Sequence, residues 1–260
     1  MSGTAENYII AAKNKTSARW YKTLVLAVLA GAFIAFGAAL STVAASGRSG
    51  MDAALVKGAV FPVGLILVVV CGAELFTGNN LLLLPTLNRD IKPSAMFKNW
   101  GIVYGGNLIG GVLIAVLVVF GGVMGDADGS IVQACIATAA NKCNMDFGSI
   151  LLRGILCNML VCLAVWASTA CKNHGEKILA VYLPVFAFVV LGFEHSIANM
   201  YYLSAGLITG ARFGITVAGL NIGYALLNLL AATLGNMIGG CLIATAYWLA
   251  DKEKKAPPSA

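Results

Sequence analysis

Two eight-residue stretches interrupt long apolar runs with polar residues at matching positions. They read GAELFTGN over Gly72–Asn79 and GFEHSIAN over Gly192–Asn199. Lipid cannot pair the backbone groups that a broken helix exposes, so such breaks are tolerated only inside protein or around a cavity. Breaks at corresponding positions of two halves are typical of a transport site. The flanks also recur, as Pro62-Val63 and Pro184-Val185 upstream and as Gly-Asn-x-Ile-Gly-Gly over 106–111 and 235–240 downstream.

The composition places these stretches in a membrane. Hydrophobic residues make up 59% of the chain and charged residues 11%, whereas a soluble domain has about 25% charged residues. A span needs about 20 apolar residues. The runs are continuous and do not alternate as the strands of an outer-membrane barrel do. We therefore predict an all-α polytopic membrane protein with six spans, at Leu24–Ala45, Val60–Leu83, Trp100–Val123, Ile150–Cys171, Ile178–Leu203 and Ile215–Leu249.

The lysines and arginines predict the orientation. Twelve fall on the side of both termini and five on the other, which indicates cytoplasmic termini in the cytoplasmic membrane. Each copy contains three spans, which is an odd number. The second copy therefore has the opposite orientation in the membrane. We therefore expect an aquaporin-like inverted 3+3 repeat with broken second and fifth helices. The channel domain would cover 23–250, with repeats at about 23–123 and 150–250.

The polar ends of the chain are expected to lie outside the membrane. The leader, residues 1–22, is predicted to be a short helix on the cytoplasmic face or a partly ordered tail. The charged, proline-containing tail, residues 251–260, is predicted to be disordered. The net charge of +6 reflects this topology and attraction to anionic lipid, and it forms no basic surface of the kind that binds nucleic acid.

The polar residues of the two breaks suggest a support role. Glu74 and Glu194 are expected to accept hydrogen bonds from backbone N–H groups released by the breaks. Asn79 and Asn199 are expected to cap the resumed half-helices, because Asn is a strong N-cap residue. Two half-helix N-termini that converge at the midplane would suit an anion.

His195 is the only histidine in a predicted span, and Thr77 places a hydroxyl beside the first break. An ionisable residue at membrane depth suggests a functional site. The alternative is a neutral imidazole that only stabilises the break. One histidine and two separated glutamates fit no standard metal site, and no nucleophile with an adjacent base is present. We predict no enzyme activity, no metal and no cofactor.

Several further residues allow two interpretations. Five apolar residues near the breaks would either pack in the protein core or form a gate in the pathway: Phe61, Leu65, Leu75, Phe76 and Phe188. The seven cysteines contain no C-x-x-C, and Cys135 and Cys143 are predicted to be either a disulfide or two free thiols. The glycines of the two Gly-Asn motifs predict close helix packing.

At these residues the chain resembles the formate/nitrite transporter family over about Ala11 to Leu249. The resemblance is carried by the two break motifs, by the two Gly-Asn motifs and by LCNMLVCLAVW over Leu156–Trp166. It implies a homopentamer of protomers with one pore each and permeation of small monovalent anions. It also implies site residues: His195, Thr77 and Asn158 at the central chamber, Lys142 at the external vestibule, and two constrictions, of Phe61 with Phe188 and of Leu65, Leu75, Phe76 and Val161.

Residues Gly78, Asn79 and Asn80 depart from the small hydroxyl residues that formate channels have after the threonine. The sequence therefore looks closest to the hydrosulfide branch, ahead of nitrite and formate. Two alternatives belong to other classes. An aquaporin-like channel for water or small neutral solutes shares the inverted repeat but lacks the Asn-Pro-Ala signature here, and a thiol-dependent membrane redox enzyme would need its cysteines.

Overall fold

The computed structural model describes residues 3–125 and 129–253, with side chains through residue 251. These residues form α-helices and one 3₁₀ turn, Asn80–Leu82, and they contain no strand. The helices are α1 (Gly3–Ser17), α2 (Trp20–Ala44), α3 (Gly50–Val60), α4 (Val63–Cys71), α5 (Phe76–Asn79), α6 (Leu83–Leu87), α7 (Pro93–Phe120), α8 (Ser130–Cys143), α9 (Phe147–Ala170), α10 (His174–Val190), α11 (Ser196–Phe213) and α12 (Ile222–Glu253).

Among the described residues, five helical stretches are long and apolar enough to cross a membrane, where the sequence predicted six spans. They are Trp20–Ala44, Gly50–Cys71, Pro93–Phe120, Phe147–Ala170 and Ile222–Asp251. The predicted span Ile178–Leu203 is divided between α10 and α11, because the chain leaves the helix between them. The last predicted span begins at Ile222 rather than Ile215, because Gly214 ends α11 in the left-handed conformation with φ 66°. The all-helical membrane architecture is as predicted.

Local sequence explains several helix ends. Asp146 caps α9 by accepting a hydrogen bond from the Ser149 N–H, and this hydrogen bonding to Ser149 holds the pKa of the Asp146 carboxyl below its usual value. Asn173 caps α10 by accepting from the Glu176 N–H, while the Glu176 carboxylate accepts from the Lys172 N–H. Such reciprocal caps satisfy donors that a helix start leaves free.

The glycines of the two Gly-Asn motifs bring helices into close contact, as predicted. A Cβ at Gly110 would collide with the backbone of Val28 in α2, and a Cβ at Gly239 would collide with the backbone of Ile155 in α9. Small residues at a helix interface allow this approach in lipid, where packing rather than the hydrophobic effect holds helices together. The pairs α2 with α7 and α9 with α12 are accordingly the most extensive contacts of the fold.

The leader contains the helix α1, which packs against the protein. Tyr8 is buried, and its ring centroid lies 6.0 Å from that of Trp166 in α9. At the other end, α12 continues through Glu253, so the first three residues of the predicted tail are helical. Residues 254–260 of that tail lie outside the described residues.

The upstream prolines are not equivalent in the two halves. Pro62 lies ten residues before Gly72 and separates α3 from α4, whereas Pro184 lies eight residues before Gly192 and sits inside α10. The predicted correspondence of Pro62-Val63 with Pro184-Val185 is therefore wrong by two residues. The breaks themselves begin at Gly72 and Gly192, both left-handed, with φ 72° and 67°.

Candidate functional site

Both breaks are stabilised by an asparagine from a neighbouring helix. After the first break the Phe76 N–H donates to Asn107 Oδ1 at 2.9 Å, and after the second the Ser196 N–H donates to Asn236 Oδ1 at 2.8 Å. Each side-chain amide also donates back to the chain. Asn107 Nδ2 donates to the carbonyls of Ala27 and Glu74, at 2.7 and 2.9 Å.

Asn236 Nδ2 repeats these bonds with the carbonyls of Gly154 and Glu194, at 2.8 and 2.9 Å. The first backbone N–H of each half-helix is therefore already paired. The expectation that these N-termini suit an anion stays a prediction. The sequence assigned the Gly-Asn motifs to packing alone and missed this role. The asparagine is the one residue with a polar side chain in each motif, and this was the sequence signal for its hydrogen-bonding role.

The two glutamates have different partners from those expected. Glu74 Oε1 lies 2.8 Å from Lys15 Nζ, and Glu74 Oε2 accepts from Asn79 Nδ2 at 2.7 Å. In the second half, Glu194 Oε1 lies 2.7 Å from Lys142 Nζ, and Glu194 Oε2 accepts from Asn199 Nδ2 at 2.6 Å. In the part of the chain that the structure describes, neither carboxylate accepts the predicted backbone hydrogen bonds.

The asparagines Asn79 and Asn199 are likewise not the caps that the sequence predicted. The first half-helix has Leu75 at its N-cap position without a side-chain cap, and the second has His195. Each asparagine instead binds a further buried asparagine. Asn79 donates to Asn99 at 2.9 Å and Asn199 to Asn228 at 2.8 Å. The sequence reasoning overlooked Asn99 and Asn228.

The same Lys-Glu-Asn-Asn cluster therefore occurs twice. One copy contains Lys15, Glu74, Asn79 and Asn99, and the other contains Lys142, Glu194, Asn199 and Asn228. A buried carboxylate is tolerated when it is paired and hydrogen-bonded. Each break thus carries a neutralised carboxylate. Two side chains bond that of Glu74 and three bond that of Glu194. Lys15 was counted in the sequence only as a topological charge.

His195 and Thr77 come from different breaks and meet between them. His195 Nε2 lies 3.0 Å from Thr77 Oγ1, and both side chains are buried. His195 Nδ1 accepts the N–H of Ala198 at 3.0 Å. Because Nδ1 accepts, the imidazole carries its single proton on Nε2, which donates to the threonine hydroxyl. A second proton on Nδ1 would require the cap bond to break.

Asn158 packs behind Thr77 on α9. Its Nδ2 lies 3.2 Å from the Thr77 carbonyl, 2.8 Å from Asn80 Oδ1 and 2.7 Å from the Asn236 carbonyl. Cys162 Sγ donates to the same Thr77 carbonyl at 3.5 Å. Asn158 therefore contacts the backbone that presents Thr77. The position of the Asn80 side chain beside it was not anticipated.

Two cavities approach the Thr77–His195 contact. The Lys142 cavity measures about 410 Å³ and reaches His195. Besides Lys142 and His195 its wall includes Arg48, Lys57, Phe61, Phe188, Glu194 and Tyr202. The Lys15 cavity measures about 330 Å³, and its wall includes Tyr8, Lys15, Leu65, Glu74, Leu75 and Asn79. Within the described residues the two cavities share no wall residue; His195 lines the Lys142 cavity, and Gly78, the residue after Thr77, lines the Lys15 cavity.

The predicted constriction residues divide into two sets. The rings of Phe61 and Phe188 meet edge to face at 5.9 Å, and Phe188 stacks on His195 at 5.9 Å. Leu65 and Leu75 line the Lys15 cavity. Phe76 turns away from that cavity and packs on Trp100 and Tyr104.

Val161 is fully buried and does not line either cavity. The constriction of Leu65, Leu75, Phe76 and Val161 stays a prediction.

Cys135 and Cys143 are free thiols in α8, and burial raises the pKa of both. Among the described residues, no group of three or more His, Cys, Asp or Glu side chains is placed to hold a metal ion.

The comparisons with known proteins agree with this geometry. Residues 2–249 match the formate/nitrite transporter family. A protein from Methanothermobacter thermautotrophicus described as a probable formate transporter is 38% identical, and the alignment covers 94% of each chain. Among solved structures, an FNT family ion channel superposes with a TM-score of 0.86 at 29% identity, covering 96% of this chain and 99% of that one.

A pentameric formate channel with formate bound superposes with a TM-score of 0.80 at 31% identity. It covers 90% of this chain and 98% of that one. The family match spans nearly the whole chain, both broken helices and both cavities. The chain belongs to the formate/nitrite transporter family.

Proposed function

We propose that the chain conducts small monovalent anions and their conjugate weak acids across the cytoplasmic membrane, with formate as the leading substrate. The observation that carries this proposal is the buried Thr77–His195 contact, because His195 lines one lysine-containing cavity and Gly78, next to Thr77, lines the other. The names of a relative and of a structural neighbour, a probable formate transporter and a pentameric formate channel, support the substrate class.

The arrangement in the membrane is part of the proposal. The repeated Lys-Glu-Asn-Asn clusters and the repeated asparagine bonds at both breaks support an inverted repeat. The excess of lysine and arginine on the side of the termini supports cytoplasmic ends. With that orientation the Lys142 cavity faces outward and the Lys15 cavity faces the cytoplasm. The pentameric neighbour supports a homopentamer with one pore per protomer.

The transport step follows from the cost of a bare charge between apolar walls. An unpaired anion in such a segment loses solvation worth tens of kcal/mol in an ideal continuum. Protonating a carboxylate of pKa about 3.5 at pH 7 costs only about 5 kcal/mol. We infer that the anion gathers in a cavity and passes the Phe61–Phe188 contact and the leucines as its neutral acid.

The proton source is constrained by the bonding of His195. Its Nδ1 accepts from Ala198, so the neutral ring holds its single proton on Nε2, and giving that proton to an anion would leave a costly imidazolate. Water in the wider Lys142 cavity is the simpler source. His195 and Thr77 then serve as hydrogen-bonding groups that orient the acid between the cavities.

The test is flux into proteoliposomes containing the purified protein, with formate, nitrite, hydrosulfide, lactate and glycerol compared side by side. The proposal expects formate and nitrite to pass and glycerol to be excluded. Glycerol flux equal to formate flux would favour the aquaporin-like alternative, and absence of formate flux would refute the proposal. The preference for hydrosulfide, which rests on Gly78–Asn80, stays a prediction that the same panel decides.

A further inference from the structure

The Lys142 cavity carries more positive charge than the Lys15 cavity. Three cationic side chains line the first, those of Arg48, Lys57 and Lys142, together with the carboxylate of Glu194. The Lys15 cavity has one lysine and one glutamate. The two clusters at the breaks are alike, so the difference in charge comes from Arg48, which precedes α3, and from Lys57 in α3.

Two of the three cations already have an acidic partner. Lys142 Nζ lies 2.7 Å from Glu194 Oε1, and Arg48 forms an exposed pair with Asp52 at 2.8 Å. Within residues 3–125 and 129–251, the structure records no hydrogen bond or ion pair for the Lys57 ammonium. Lys57 therefore supplies the excess charge that is available to a mobile anion.

Lys57 also lies close in sequence to an aromatic residue that lines the same cavity. It lies four residues before Phe61, the helical C-cap residue of α3, whose N–H donates to the Lys57 carbonyl at 2.9 Å, and residues at this spacing share one helix face. Phe61 contacts Phe188, which stacks on His195. Lys57, Lys142 and Glu194 line the same cavity. Two ammonium groups and one carboxylate leave a net positive charge there that an anion would neutralise.

We propose that Lys57 and Lys142 together form a binding site for a small monovalent anion in the Lys142 cavity, and that this site makes anion entry asymmetric between the two mouths. The binding part stands on the cavity and its charges. The asymmetry part rests on the proposed function, because it requires that anions pass.

The other half of the chain offers a matched control. Lys57 lies fifteen residues before Gly72, and Lys177 lies fifteen residues before Gly192. Lys177 is not among the described residues that line the Lys15 cavity. Removing its charge therefore tests whether any lysine at this distance from a break has the same effect.

Coulomb's law gives the expected size of the effect. A unit charge about 8 Å away, in surroundings with an effective dielectric constant between about 20 and 80, changes the local anion concentration between roughly twofold and thirtyfold. The change should shrink at high ionic strength, since salt screens charges at this separation.

Binding is measured first, with chloride as the probe. Line broadening of the chloride NMR signal is recorded with the protein in nanodiscs, and formate is titrated to displace it. We expect Lys57→Gln to weaken chloride affinity between about twofold and thirtyfold, whereas Lys57→Arg and Lys177→Gln keep it. Equal affinity of Lys57→Gln and the unchanged protein, with intact elution on size exclusion, would overturn the proposal.

Entry is measured separately, as formate influx into right-side-out and inside-out membrane vesicles. Lys57→Gln should slow influx from the Lys142 side more than from the other side, and equal slowing would refute the asymmetry. The two failures remain distinguishable. If chloride binding depends on Lys57 but no formate flux is seen, the proposed function is refuted and the anion-binding site is retained. If formate flux is seen but chloride binding does not depend on Lys57, only the anion-binding site is refuted.

Discussion

Replacing Asn236 by alanine should destabilise the second break strongly. The change leaves the Ser196 N–H and the Glu194 carbonyl without their side-chain partner in a buried region. Each unsatisfied buried group costs about 1–3 kcal/mol. The third partner, the Gly154 carbonyl, lies inside α9 and can accept a hydrogen bond within the helix. The loss of its bond to Asn236 therefore costs less and adds nothing to this sum. The expected loss is about 2–6 kcal/mol, a large share of the 5–15 kcal/mol that is typical of a folded protein.

The loss can be measured as the shift in thermal unfolding of the protein in detergent, with size exclusion to follow its assembly. A destabilisation of this size corresponds to a fall in Tm of about 5–20 °C. Asn107→Ala should behave alike, because Asn107 makes the corresponding three bonds at the first break. The control is Asn7→Ala, an exposed side chain with a single hydrogen bond to the Thr169 carbonyl, which should change stability by less than about 0.5 kcal/mol.

The reasoning would be refuted if Asn236→Ala and Asn7→Ala shifted Tm equally. That result would mean that water or a rearranged backbone satisfies the break without the asparagine.

Two further predictions concern packing and transport. Gly239→Ala should destabilise the protein by about 1–3 kcal/mol, because the added Cβ would overlap the backbone of Ile155. Gly105→Ala, where nothing lies within 4 Å of the added Cβ, should not lower the Tm, because alanine is favoured over glycine inside a helix by about 0.5–1 kcal/mol; equal destabilisation by both changes would contradict the close-packing account. His195→Asn should keep the cap on Ala198, since Asn is also a strong N-cap, while removing the imidazole. We expect a folded protein with reduced formate flux and an altered dependence on pH; unchanged selectivity and pH dependence would exclude the imidazole from the transport step.

Most of the fold could be predicted from the sequence. Long apolar runs and paired polar breaks indicate membrane helices that are interrupted, and the structure has such breaks after Gly72 and Gly192. The glycine motifs predicted close helix contacts, which Gly110 and Gly239 make. Hydropathy alone misjudged the fifth span, because it averages over a break that the backbone resolves into α10 and α11.

The partners of the site residues were harder to predict. The sequence places Glu74 and Asn79 beside a break but does not show that Lys15, nearly sixty residues away, folds back on both. Such contacts depend on the packing of α1 against the bundle, which carries no local signal. The meeting of Thr77 with His195 was expected from the family resemblance, and residue spacing alone does not place their side chains 3.0 Å apart.

The central claim is that the two cavities are the ends of one pathway through the Thr77–His195 contact. Its most direct test is blockade of formate flux by a bulky thiol reagent in proteins carrying Ala53→Cys, in the Lys142 cavity, or Ala11→Cys, in the Lys15 cavity. The three cysteines that are not buried, Cys71, Cys171 and Cys241, are first replaced by serine.

The control is Met51→Cys, at an exposed position that does not line the Lys142 cavity. We expect labelling at either cavity position to abolish formate flux and labelling at the control position to leave it unchanged. Formate flux that continues after complete labelling of both cavity positions would contradict the account.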